Sequence, residues 1–85
     1  MPAKFLFISN SANKNIKRLP LKIQHKIDKA FDKIKLNPIA GFKLAGELSK
    51  HYKYRIGDYR IVYSFNSKLG RVEIHKVEYR QGVYK

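Results

Sequence analysis

The pattern of apolar and polar positions in the first half of the chain predicts a short strand followed by two helices. Residues 4–8 form an apolar run that is predicted to pair with other strands on both sides. After a group of good helix-capping residues at 9–13, apolar side chains recur at helical spacing, and a second helix runs from about Pro20 to Leu36. The Asn37-Pro38 pair ends that helix, because the residue before a proline avoids the helical conformation. The apolar helical positions are Ala12, Ile16 and Leu19, then Ile23, Ile27, Ala30, Phe31 and Ile34.

The second half of the chain alternates apolar and polar residues, as β-strands do. Tyr52 to Ile56 and Tyr59 to Asn66 flank Gly57-Asp58, and a glycine in this place suits the first position of a two-residue type II′ turn. Arg71 to Tyr79 is predicted to be a third long strand. Its apolar positions change parity along the strand, so we expect a β-bulge near His75-Lys76.

These elements predict one α+β domain that spans residues 1–85. The predicted order is β-α-α-β-β-β, with an N-terminal helical hairpin packed on a small, mainly antiparallel sheet. Residues 39–50 are expected to be an irregular connection between the second helix and the β-hairpin.

The charge of the chain indicates a polyanionic partner. There are 19 Lys and Arg residues against 6 Asp and Glu residues, which gives a formal net charge of +13. The chain has no cysteine, so disulfides and thiolate zinc sites are excluded, and a reducing cytoplasmic location is expected. No apolar run approaches the roughly 20 residues that cross a bilayer, and we expect no membrane partner.

Three cations are predicted to crowd one end of the hairpin. Lys53 and Arg55 share one face of their strand, and Arg60 lies close to them on the returning strand. Such crowding is unfavourable unless an anion binds there. The carboxylates show no convergent pattern of the kind that Mg²⁺ requires, so no metal and no cofactor is expected.

The tyrosines of the strands are predicted to pack in the core and on the sheet rather than to stack on bases. This holds for Tyr52, Tyr54, Tyr59 and Tyr63 of the hairpin. Tyr79 is also assigned to the core.

Several segments of the sequence resemble the RelE/ParE toxin superfamily of toxin–antitoxin modules. The resemblance rests on Leu44-Ala-Gly46, on the hairpin from Tyr52 to Tyr63, on Val77-Glu-Tyr-Arg80 and on Val83-Tyr84. It covers nearly the whole chain and includes the predicted order of elements. The hairpin motif is more specific to the superfamily than to either of its branches.

Similarity to the RelE branch implies a metal-independent, ribosome-dependent mRNA endonuclease that inhibits translation. The family's active positions then fall on Lys53, Arg60, Arg80 and Tyr84, with Arg55 binding and orienting the RNA. Lys50 and His51, which lead into the hairpin, are also predicted to contact RNA. The implied partners are mRNA, the ribosome and an acidic antitoxin that forms a hetero-oligomer with the toxin.

Cleavage of RNA without a metal can use the 2′-hydroxyl as nucleophile. The site must then transfer protons and stabilise the negative charge on the phosphate. Arginine stays protonated, whereas lysine and tyrosine can transfer protons. We therefore assign proton transfer to Lys53 and Tyr84, and stabilisation of the phosphate to Arg60 and Arg80.

Two other functions remain open at this point. The ParE branch keeps the fold but poisons DNA gyrase without cutting RNA. An inactive homologue that only binds its antitoxin is the third possibility. The presence of the complete set of basic residues and Tyr84 favours the endonuclease.

Overall fold

The computed structural model describes residues 2–43 and 51–79. Two helices and five strands follow one another along this part of the chain. In order they are β1 (Phe5–Ile8), α1 (Asn10–Lys17), α2 (Leu21–Leu36), β2 (Phe42–Lys43), β3 (His51–Ile56), β4 (Tyr59–Asn66) and β5 (Arg71–Tyr79).

The described strands form one mixed sheet in the order β1-β5-β4-β3-β2. Of the four neighbouring pairs in that order, β1–β5 is parallel and the other three are antiparallel. The predicted α+β class and β-α-α-β-β-β order are confirmed. The connection that we expected to be irregular contributes the two-residue strand β2, and its residues 44–50 lie outside the described part of the chain.

Strand β1 was expected to have a partner on both sides, and this prediction is wrong. In the described sheet, β1 is an edge strand that pairs only with β5. Phe5, Phe7 and Ile8 of this strand are substantially exposed. An apolar run of four residues does not distinguish an edge strand from a central one.

Local capping explains where the helices begin and end. Ser9 is the N-cap of α1, and its hydroxyl accepts a hydrogen bond from the backbone N–H of Ala12 at 3.1 Å. Pro20 precedes α2, and the extended backbone of Asn37 before Pro38 ends it. Helix α2 follows its predicted boundaries closely, whereas α1 ends at Lys17, before Leu19 of the predicted apolar face.

The hairpin turn and the bulge are confirmed. Ile56 pairs with Tyr59, so Gly57 and Asp58 form a two-residue turn, and Gly57 has the positive φ of +55° that the first position of a type II′ turn requires. The register shifts between β4 and β5: Val62 pairs with Lys76, whereas Tyr63 pairs with Ile74. His75 is therefore the extra residue of the bulge.

Helix α1 holds the bulge in place through hydrogen bonds from its first turns. The Ser9 hydroxyl donates to the carbonyl of His75 at 2.9 Å, and the Ser9 backbone N–H donates to the carbonyl of Ile74 at 3.0 Å. The side-chain oxygen of Asn15 accepts from the N–H of Val77 at 3.4 Å. Backbone groups of β5 at and beyond the end of its pairing with β1 are thus satisfied by Ser9 and the helix.

The core lies between the helices and one face of the sheet. The buried residues of α2 are the predicted stripe without Ile23, which is partly buried, and the sheet contributes alternate residues of β4 and β5. The opposite face of the sheet is not covered by either helix, and we call it the open face. The buried apolar residues are Ala3, Ala12, Ile16, Ile27, Ala30, Phe31, Ile34, Ile61, Val62, Tyr63, Val72, Ile74 and Val77.

Tyr63 joins the core to the connection that follows α2. Its side chain is fully buried, and its hydroxyl donates to the carbonyl of Pro38 at 2.8 Å and accepts from the N–H of Gly41 at 3.1 Å. Gly41 packs so closely that a Cβ atom there would lie 2.7 Å from the carbonyl oxygen of Lys53. This contact fixes the chain that leads into β2 beside the hairpin.

None of the helices in the described residues is both long and apolar enough to cross a membrane.

We predict that Tyr63→Phe destabilises the protein by about 1–3 kcal/mol, because two backbone groups lose their partner in a buried site. The free energy of unfolding, measured by urea denaturation, checks this. Tyr79→Phe is the matched control, since Tyr79 is half-exposed and its ring contact with Tyr59 does not need the hydroxyl. Equal stability of the two variants would contradict the role given to Tyr63.

Candidate functional site

The open face of the sheet gathers cations from three neighbouring strands. Strand pairing places opposed residues on the same face, so the pairs can be read as rows across the sheet. One row joins Lys53 on β3 through Val62 on β4 to Lys76 on β5. The next row joins Arg55, Arg60 and Glu78 in the same strand order. The three predicted cations of the hairpin therefore lie on one face, with Arg55 directly opposite Arg60.

The cationic cluster has an internal counter-ion, Glu78, which was not predicted from the sequence. The Nε and Nη2 atoms of Arg60 both donate to one carboxylate oxygen of Glu78, at 3.0 and 2.8 Å. The Nζ of Lys76 lies 2.6 Å from the other oxygen. The side chains of Arg60 and Glu78 are only 18% and 26% exposed, so their pairing is partly shielded from water.

The pKa of Glu78 reflects these contacts. The hydrogen bond from Lys76 lowers the pKa of the Glu78 carboxyl most, and Arg60 lowers it further, while partial burial acts in the opposite direction. Glu78 is therefore held as a carboxylate that orients one arginine and one lysine.

Glu78 and Lys76 are site residues that the sequence analysis missed. The signal was available in the predicted bulge, because an extra residue at His75 reverses the parity of the residues after it. Val77 then points to the core, and Lys76 and Glu78 fall on the open face beside the hairpin cations.

Two histidines meet beside the cationic rows. The ring centroids of His51 and His75 are 4.8 Å apart, and Nε2 of His75 is 2.8 Å from the hydroxyl oxygen of Ser64. Burial lowers the pKa of His75, the neighbouring His51 lowers it further, and Glu73 acts in the opposite direction. His51 was predicted to contact RNA; the structure packs it against His75, and its buried Nδ1 has no hydrogen-bond partner among the described residues.

Three predicted site residues cannot be placed relative to this cluster. Lys50, Arg80 and Tyr84 lie outside the described residues. Their roles in RNA binding and catalysis stay predictions from the resemblance.

The tyrosines of the hairpin pack as predicted, but Tyr79 does not. Tyr52 and Tyr63 stack with ring centroids 5.4 Å apart, and Tyr54 and Tyr59 are partly buried against the core. Tyr79 was assigned to the core but is 49% exposed. Tyr79 is the last residue of β5, and its ring packs against that of Tyr59 with the ring centroids 5.0 Å apart.

Within residues 2–43 and 51–79, no group of three or more histidine, aspartate or glutamate side chains is arranged to hold a metal ion. The described side chains of the open face offer cations, imidazoles, hydroxyls and the carboxylates of Glu73 and Glu78.

The fold has counterparts among known proteins. Residues 6–84 match the family described as the ParE toxin of type II toxin–antitoxin systems, parDE. No curated protein is similar enough to count as a match.

Solved structures of the same class are similar over most of the chain. The RelBE2 toxin–antitoxin complex from Mycobacterium tuberculosis contains a chain with 26% identity and a TM-score of 0.82, covering 94% of this chain and 93% of that chain. For the archaeal RelE–RelB complex from Pyrococcus horikoshii the identity is 25%, the TM-score 0.76 and the coverage 94% and 97%. The isolated RelE toxin of E. coli shares the fold, with 23% identity, a TM-score of 0.76 and coverage of 88% and 82%.

The helical hairpin, the mixed sheet and these likenesses define a toxin of the RelE/ParE superfamily, which confirms the resemblance seen in the sequence. Within that class, the chain belongs to the ParE toxin family of type II toxin–antitoxin systems.

We predict that Glu78→Gln lowers the free energy of unfolding at neutral pH by about 1 kcal/mol. The pair is partly buried, so its contribution should lie between that of an exposed ion pair and that of a buried hydrogen bond to a charged group. Because the pKa of Glu78 is lowered on folding, its contribution is present above the ordinary carboxyl pKa and is lost as the pH falls through the folded value. Urea denaturation at neutral pH and at about pH 3 measures this, and the difference from wild type should shrink in acid.

Glu73→Gln is the control for this variant. Glu73 also pairs with an arginine, Arg71, but both side chains are more than two-fifths exposed, so little stability should be lost. A Glu78→Gln effect equal to that of Glu73→Gln, or one that does not depend on pH, would refute the counter-ion role.

We predict that His75 makes the protein less stable in mild acid. Its pKa is lowered on folding, so the unfolded chain binds the proton more readily, and stability is lost as the pH falls below the ordinary histidine value of 6.5. His75→Gln should flatten this part of the curve of unfolding free energy against pH. His25→Gln, which removes an exposed histidine from α2, is the matched control. An unchanged curve for His75→Gln would contradict the prediction.

Proposed function

We propose that the protein is a metal-independent endoribonuclease that cleaves mRNA on the ribosome and so inhibits translation. The observation that carries this proposal is the convergence of Lys53, Arg55 and Arg60 on the open face, in a register fixed by the hairpin. A surface of this kind suits a phosphodiester, because several cations can contact its oxygens at once.

The proposed reaction starts with attack of a ribose 2′-oxygen on the adjacent phosphorus. Lys53 or Tyr84 takes the 2′-hydroxyl proton, and the other returns a proton to the departing 5′-oxygen. Arg60 and Arg80 stabilise the additional negative charge on the phosphate, and Arg55 binds and orients the strand. The bond between phosphorus and the 5′-oxygen breaks, so the products are a 2′,3′-cyclic phosphate and a free 5′-hydroxyl. This step consumes no water.

Glu78 prepares Arg60 for this task. A guanidinium has five N–H donors in a fixed plane, and Glu78 holds it through Nε and Nη2, which leaves the other donors for a phosphate. Orientation before the substrate arrives reduces the entropy lost on binding. Lys76, held by the other oxygen of Glu78, adds a further cation in the row of Lys53, with Val62 between the two lysines.

The ribosome and an antitoxin are the proposed partners, in the cytoplasm. The chain is small, and its cations lie on an open face rather than in a cleft, so an external surface must hold the mRNA. Structures of RelE toxins similar to this chain contain RelB-type antitoxins. With a net charge of +13, this chain favours an acidic antitoxin that covers the open face and forms a hetero-oligomer.

A second candidate is a DNA gyrase poison of the ParE type. It is favoured by the match of residues 6–84 to the ParE toxin family. The endonuclease is preferred, because gyrase binding gives no reason for an oriented arginine beside a second arginine and two lysines on one face.

We predict that Lys53→Ala, Arg60→Ala and Arg80→Ala abolish cleavage of translated mRNA. Loss of a proton-transfer group costs about 10²–10⁴-fold in rate, and loss of a group that stabilises the transition-state charge costs about 10²–10³-fold. The measurement is the mapping of mRNA 5′ ends after induction in a bacterium, with and without ongoing translation. Cuts in phase with codons are expected for the wild type only.

Lys22→Ala, which removes an exposed lysine from α2, is the matched control and should cut like the wild type. Arg60→Lys keeps the charge beside Glu78 and separates loss of folding from loss of chemistry. Full activity in all three alanine variants would refute the mechanism. Induction of the SOS response with intact mRNA would establish gyrase as the target, and normal growth would indicate an inactive antitoxin-binding homologue.

A further inference from the structure

Two phenylalanines on the edge strand extend the open face away from the cations. Phe5 and Phe7 pair with Arg71 and Glu73, the residues that alternate on β5 with buried Val72, so both rings lie on the open face. They are 52% and 50% exposed, and their ring centroids are 6.2 Å apart. Large aromatic side chains left half in water next to each other are typical of a binding surface.

An arginine is already stacked at this position. The Cζ atom of Arg71 lies 5.0 Å from the centroid of the Phe7 ring, and its Nη2 is 3.1 Å from a carboxylate oxygen of Glu73. Glu73 thus fixes the guanidinium and balances its charge. We call Phe5, Phe7 and Arg71 the aromatic platform.

The platform is continuous with the cationic rows. The row that contains Phe7 runs through Glu73 on β5 and Ser64 on β4 to His51 on β3, two residues before Lys53. Three strand spacings of about 4.8 Å separate β1 from β3, so the platform lies about 14 Å across the sheet from the hairpin. A strand of a few nucleotides spans such a distance.

Cations at one side of the open face and exposed aromatic rings at the other favour a ligand that carries both negative charge and flat rings. Unpaired nucleotides satisfy both, because their phosphates pair with lysine and arginine while their bases stack on aromatic rings and guanidinium planes.

We propose that the aromatic platform stacks unpaired bases of single-stranded RNA, a few nucleotides from the bond that the hairpin cations act on. This rests on the proposed function for the identity of the strand, but it assigns a separate base-binding subsite on β1 and β5. The platform reads the π-face of the base and not its edge, so it accepts different bases.

The test is fluorescence anisotropy with a labelled eight-nucleotide RNA and no ribosome. Phe5→Ala/Phe7→Ala should weaken binding at least about tenfold, since one stacked base contributes roughly that much. Phe5→Leu/Phe7→Leu keeps the apolar packing without the π-face and should weaken binding similarly. Phe5→Tyr/Phe7→Tyr should restore it.

Two further readouts separate stacking from charge and from folding. The slope of log K against log salt should be unchanged in the phenylalanine variants, whereas loss of a phosphate-binding lysine lowers it by about 0.7. An abasic oligonucleotide of equal length should bind wild type and variants alike. Leu21→Ala/Leu36→Ala removes two exposed apolar side chains of α2 and is the matched control.

Wild-type affinity in both the alanine and leucine variants would overturn the platform, as would an equal loss of affinity for the abasic strand. Loss of binding to a purified acidic antitoxin with RNA binding intact would also overturn it, because the surface would then be a protein interface. None of these three results bears on cleavage by Lys53 and Arg60, which is tested by mapping mRNA 5′ ends. The two proposals therefore fail independently.

Discussion

The hydrogen bonds between α1 and the β5 bulge are the interaction on which the arrangement of the open face depends. Val72 and Ile74 must face the helices, and so must Val77, although an unbroken strand would place it on the other side. One extra residue at His75 resolves this conflict, and Ser9 and Asn15 bond to backbone groups of β5 at and just after this residue. The same insertion carries Glu78 to the open face. The core and the charged surface are therefore set by a single local adjustment.

Charge on this face is organised rather than merely abundant. Arg55 and Arg60 lie directly opposite each other, an arrangement that is unfavourable for like charges. Glu78 on β5 offsets part of that repulsion by binding Arg60 on β4, and it also pairs with Lys76 on its own strand. A carboxylate that occupies two cations from one side holds them in place. The proposed binding of phosphate therefore depends on the same contacts that stabilise the sheet.

Much of the fold could be predicted because its signals are local. The Gly57-Asp58 turn determines the hairpin register, and the parity change after Ile74 locates the bulge. The features that escaped prediction depend on neighbours that are distant in the chain. The pairing of Arg60 with Glu78 requires the register of two strands together, and the edge position of β1 is decided by which strand of the sheet it joins. The roles of Arg80 and Tyr84 came from resemblance alone, with no physical pattern behind them.

The position of β5 between β1 and β4 has a consequence for synthesis. Among the described strands, β1 pairs with β5 alone, since Phe5 pairs with Arg71 and Ile8 with Ile74. A nascent chain whose β5 is still inside the ribosome lacks the strand that pairs with β1. It also lacks Glu78, the carboxylate that binds Arg60. Long-range pairing of this kind forms late in folding. Under the proposed function, we therefore expect the nascent polypeptide to be inactive toward its own ribosome until β5 has left the ribosome.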